Sequence, residues 1–78
     1  MRPPIRGFIA LVIDALRDTD YFVRQEAIAS VIKIGKPAVA ALPLLSEIRD
    51  ANVGTDERDQ SMRMNAEAAI RILSDPNR

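Results

Sequence analysis

One hydrophobic pattern is written twice in this chain, 39 residues apart, and that repetition restricts the fold more than any other feature. The clearer copy is Asp18 to Lys36, DTDYFVRQEAIASVIKIGK, which reads as a turn, a helix and a stop. Asp18 and Asp20 are short acids suited to capping a helix N-terminus and favouring its dipole. Val23, Ala27, Val31 and Ile34 recur at helical spacing and form one apolar stripe. Gly35 suits a left-handed cap, and Pro37 stands where a next helix can begin. Moved on by 39, Val23, Arg24, Ala27, Ala29, Val31 and Ile34 fall on Met62, Arg63, Ala66, Ala68, Ile70 and Leu73.

An earlier helix repeats as well, with a different shift. Moved on by 32, Ile9, Val12, Ile13, Leu16, Arg17 and Asp18 fall on Ala41, Leu44, Leu45, Ile48, Arg49 and Asp50. The second unit therefore carries about seven extra residues between its helices. The spacing predicts four helices, over 5–17, 20–34, 37–50 and 60–73, grouped as two tandem hairpins, repeat one over about 5–35 and repeat two over about 37–74. Pro43 inside the third helix removes one backbone hydrogen bond and predicts a kink there. Residues 51–59 read as a polar acidic loop. Pro3 and Pro4 hold the first four residues extended, and 75–78 read as a frayed end.

The fold class expected is all-α, a single domain over 1–78. Runs of strand-like alternation are absent and there are only 3 glycines. Aromatics are confined to Phe8, Tyr21 and Phe22, so the core is aliphatic. The 11 basic and 11 acidic residues cancel, which gives no support for a nucleic-acid or anionic-membrane partner. No cysteine means no disulfide and no thiolate metal site, which suits a reducing, cytoplasmic setting. No histidine removes the commonest general base and metal ligand. Arg2 and Arg6 before the apolar run Phe8 to Ile13 faintly imitate a secretion signal, but Asp14 ends the run and no small-residue cleavage site follows. No segment is long enough to cross a membrane.

The two repeats differ in their outward faces. At roughly 100° per residue, Ile28 and Ile32 lie together beside the core stripe of the second helix. Their counterparts on the fourth helix are Glu67 and Arg71, four apart with the acid first, the favourable order for a surface pair. An apolar stacking stripe becomes a charged one, which is what the closing unit of a stacked array needs. Across the core stripe, Glu26 and Lys33 correspond to Asn65 and Ile72, so Ile72 is expected to pack towards Ile28 and Ile32. At the other end, Phe8, Leu11 and Ala15 of the first helix and Phe22 of the second point outward with nothing left to cover them. Large side chains left wet forfeit about 1.5–3 kcal/mol each. This face is expected to meet another protein, most simply a second copy in a two-fold dimer; the competing readings are a preceding unit of a longer array, or Phe8 turned inward in a sufficient monomer.

The residues LRDTDYFVRQEAIASVIKIG (16–35) and KPAVAALPLL (36–45) resemble HEAT repeats, of the short bacterial type found also in phycocyanobilin-lyase-like proteins. Leu16, Asp18, Val23, Arg24, Ala27 and Gly35 match that pattern, and Pro43 matches its habit of a proline in the first helix of a unit. Ser74 departs from it, standing where Gly35 should recur. The resemblance implies an alpha-alpha superhelix with right-handed stacking. It also implies that Arg24 is tied to Asp18, and Arg63 to Asp50, across the turns; the alternative for these arginines is an anion site. Repeats of this kind serve many functions.

The function expected is therefore a non-catalytic protein-interaction or scaffold module, with no cofactor, metal or small-molecule ligand. Its candidate contacts are Phe8, Leu11 and Phe22 at the outward end, and Gln25, Lys33, Met64 and Arg71 as exposed positions in a groove lined by the second helices of the two hairpins. The resemblance also allows an accessory role in bilin attachment. A third reading is nucleic-acid binding, but Arg24, Lys33, Lys36, Arg63 and Arg71 are interleaved with Glu26 and Glu67, which breaks a phosphate track. Asp18 with Asp20 and Asp56 with Asp59 read as caps and turns rather than acid/base pairs. No serine has a candidate base, and Asp56-Glu57-Arg58-Asp59 lacks calcium-loop spacing.

Overall fold

The computed structural model describes residues 5–75. The expected extended tail over 1–4 and the last three residues of the expected frayed end lie outside the described residues. The described chain consists of α1 (Ile5–Leu16), α2 (Tyr21–Ile34), a 3₁₀ stretch (Lys36–Ala41), α3 (Leu42–Ala51) and α4 (Glu57–Ser74). No strand occurs among the described residues.

Local chemistry fixes the ends of α2. The Asp20 carboxylate accepts from the backbone N–H groups of Phe22 (2.8 Å) and Val23 (3.2 Å), two donors that the first turn otherwise leaves unpaired. Asp18 accepts from the Asp20 N–H at 2.8 Å and tightens the preceding turn. At the other end Gly35 sits at φ 76°, ψ −146°, a region essentially reserved for glycine, while its N–H donates to the Val31 carbonyl at 2.8 Å.

The third helix departs from expectation. It is not one kinked rod over 37–50 but two pieces, with Ala38 at φ −93°, ψ 19° inside the first. Pro43 has no N–H to offer the Val39 carbonyl, and the Leu42 N–H takes that carbonyl instead in a 3₁₀-type bond. α3 then starts at Leu42 with Pro43 in its first turn, where a missing donor costs nothing. The acidic loop over 51–59 is also shorter than expected. Asp56 caps α4 by accepting from the Asp59 N–H at 2.8 Å, and Glu57 and Asp59 become first-turn acids that favour the helix dipole.

α1 packs on α2, α3 on α4, and α2 on α4, while α1 meets α3 over a short stretch. A single cluster of buried aliphatic side chains runs through all of these contacts. Its largest wholly enclosed members are Ile28, Val31, Leu45 and Met62, each worth about 1.5–3 kcal/mol of burial.

Three side chains set the relation of α2 to α4. Gln25 Nε2 donates to Ser61 Oγ at 3.1 Å, Asn65 Nδ2 donates to Gln25 Oε1 at 2.9 Å, and Tyr21 Oη donates to the Arg58 carbonyl at 3.4 Å. The partners are 36, 40 and 37 residues apart, bracketing the 39-residue repeat of the sequence. Both helices advance in the same sense along this seam, so they lie parallel, each in the register its copy of the pattern dictates. Ile28 is wholly buried and Ile32 half-buried against the core cluster, whereas Glu67 and Arg71 are exposed.

Arg24 and Arg63 both cross their turns. The expected tie of Arg24 to Asp18 is made, through the Asp18 backbone carbonyl, whereas Arg63 reaches other carbonyls than that of the expected Asp50. Arg24 Nη1 donates to the Asp18 and Thr19 carbonyls at 2.9 and 3.0 Å. Arg63 Nη1 donates to those of Asn52 and Gly54 at 2.7 and 3.2 Å. A backbone carbonyl stays available whichever way a carboxylate turns, and Asp50 is held by its neighbour Arg49 at 3.0 Å. A Cβ at Gly54 would land on the Asp59 carboxylate, whose Oδ2 accepts the Gly54 N–H at 3.1 Å.

Candidate functional site

The outward face of α1 and α2 is an apolar groove of about 370 Å³. Phe8, Leu11, Val12 and Ala15 form one wall, and Phe22, Val23, Ala27 and Ser30 the other, with Glu26 as the charged lining residue among the described residues. Helical spacing creates the walls: 8, 11, 12 and 15 share one side of α1, and 22, 23, 26, 27 and 30 one side of α2. Phe8, Leu11 and Phe22 are 48, 67 and 64% exposed, as the sequence leads one to expect.

Val23 is a correction. The sequence places it in the core stripe, yet it is 37% exposed and lines the groove. Its counterpart Met62 is wholly buried, because α4 is packed against α2, whereas no described residue covers the face that holds Val23. Phe22 has a companion the sequence does not reveal. The Arg58 guanidinium lies 4.8 Å from the Tyr21 ring centroid and 5.5 Å from that of Phe22, and the two rings meet edge-on at 5.2 Å.

The other expected contacts do not gather with this face. Gln25 is not exposed: it is half-buried, and its amide also donates to Tyr21 Oη at 2.9 Å, so it belongs to the α2–α4 seam. Met64 is its counterpart on α4 and is 64% exposed. Helical spacing places Met64 on the same side of α4 as Glu67 and Arg71, at the far end of the molecule from the groove. Lys33 is exposed near the end of α2.

That far end is polar. Arg49, Glu67, Ile70 and Arg71 line a shallow depression there. The expected Glu67–Arg71 pair does not close; among the described residues the one ion pair is Arg49–Asp50. The Asp50 hydrogen bond and charge, with a smaller contribution from Glu67, raise the pKa of Arg49. Among the described residues no group of three or more acidic side chains is placed to hold a metal ion, and no helix is long and apolar enough to cross a membrane.

Comparison with protein-family models, with curated proteins and with solved structures returned no match, so the reading of this chain rests on its own residues and geometry.

Proposed function

We propose that this chain is a non-catalytic protein-interaction module built from two HEAT-type hairpins, and that the α1/α2 groove is its docking face. The observation that carries the reading is the contrast between that groove and the rest of the molecule. Phe8, Leu11, Phe22 and Val23 form a continuous apolar surface on a chain whose other large side chains are mostly enclosed. The parallel α2–α4 seam at the repeat spacing supports the HEAT-type stacking.

The rival readings gain less from the geometry. A bilin carries acidic side groups that call for cations, and among the described residues the groove lining carries Glu26, with Arg58 held beside the Tyr21 and Phe22 rings at its edge. Arg24 and Arg63 are spent on turn carbonyls, which removes them from any phosphate track. Affinity capture with the wild type and with Leu11→Asp tests the proposal. Proteins held by the first and lost by the second are expected; identical sets contradict an interaction module that works through this face.

A further inference from the structure

We infer that the occupant of the groove is a second copy of this chain, joined head to head about a two-fold axis; this rests on the interaction-module reading and names its partner. The internal repeat states what kind of surface belongs there. The face of repeat two corresponding to the groove carries Ser61 and Asn65 where repeat one has Phe22 and Glu26, and Gln25 of α2 is hydrogen-bonded across it. The groove is therefore shaped for helices laid alongside it.

The chain's own far end is the wrong complement. A head-to-tail stack would put Glu67 where wholly buried Ile28 sits and Arg71 where Ile32 sits, burying both charges against Val23, Ala27 and Ser30. It would also place Arg71 in the neighbourhood of Lys33, a like charge. That mismatch weighs against an open filament, and an isologous pairing of two heads is the arrangement that closes.

The head complements itself. Its walls are apolar, and among the described residues its charges are an acid, Glu26, and a flanking base, Arg58. Each copy can offer both to the other. The chain has no net charge, so two copies do not repel at long range. α2, at 14 residues, is about 21 Å long and two helices abreast span about 20 Å, a projected face of roughly 400 Å² per copy. That is on the small side for a stable interface, and places the dimer among reversible, weakly held pairs.

Sedimentation over about 1 µM to about 1 mM chain, the range that spans weak to moderate affinity, reads the outcome. The wild type is expected to move from the 8.6 kDa mass of one chain to twice that value. Leu11→Asp is expected to stay at one chain throughout with unchanged helical circular dichroism, since Leu11 is 67% exposed and its loss leaves the core intact. Met64→Asp at the opposite end is expected to dimerise as the wild type does. A dimer surviving Leu11→Asp, or larger assemblies abolished by Met64→Asp, overturns the head-to-head pairing. A wild type that stays monomeric overturns the second copy. If that monomer still binds another protein through a contact that Leu11→Asp abolishes, the interaction module stands without self-association; if it binds none, both readings fall.

Discussion

Val23 and Met62 hold the same place in two copies of one pattern, yet one is 37% exposed and the other wholly enclosed. Ile28 and Glu67 are the reverse case: the repeat-one residue is enclosed and the repeat-two residue is wet. Two opposite faces of a hairpin thus change their chemistry between copies, each according to what lies beside it. At the far end the sequence has replaced a stacking isoleucine by a charge. At the near end it has kept phenylalanine and leucine with nothing in the described residues laid over them. A hairpin that had no use for that end would be expected to carry polar residues there too.

The largest expected effect sharpens this contrast. Met62→Ala should cost about 2–5 kcal/mol of stability, the range for emptying a well-packed site. Val23→Ala, measured at low concentration where the head is free, should stay within about 1 kcal/mol. Urea unfolding of both variants checks the difference, and equal losses would mean the two positions are enclosed alike.

The turns give the next test. Arg63→Met should cost about 1.5 kcal/mol, because it orphans the half-buried carbonyls of Asn52 and Gly54. Arg24→Met should cost about half as much, since the bonds it removes are exposed. Thermal unfolding reads both, and a larger loss for Arg24 would reverse the ranking of the two turns. At the hairpin ends, Gly35→Ala should cost about 1 kcal/mol by forcing a side chain into a positive φ. Ser74→Gly should gain nothing, because Asp75 after it is extended at φ −73° and no left-handed residue is needed there. The smallest effect belongs to the charged end: Glu67→Gln should change stability by no more than about 0.5 kcal/mol, since its expected partner Arg71 is not engaged.

Much of this was legible in the residues. Shifts of 39 and 32 found the helices, the wheel positions of Phe8, Leu11 and Phe22 found an exposed outward face, and the wheel separated buried Ile28 from exposed Glu67. What was not legible depends on neighbours rather than on pattern. A wheel gives the direction of Val23 but cannot say that no helix lies there. It gives the direction of Gln25 but not that Ser61 and Asn65 meet it. Pro43 announces a break, yet whether the helix bends around it or restarts before it depends on Leu42 reaching the Val39 carbonyl. The resemblance pairs Arg24 with Asp18 and Arg63 with Asp50; the first two meet through the Asp18 carbonyl, whereas Arg63 reaches the Asn52 and Gly54 carbonyls, acceptors that no sequence pattern marks.

The central claim is that α2 and α4 lie parallel because the same hairpin is stacked on itself. Nuclear Overhauser contacts from the Gln25 side-chain amide test it directly in a chain of 78 residues. The account predicts cross-peaks to Ser61 and Asn65, at the N-terminal half of α4. Cross-peaks from Gln25 to Ile70 or Leu73 instead would make the two helices antiparallel and contradict the stacked repeat.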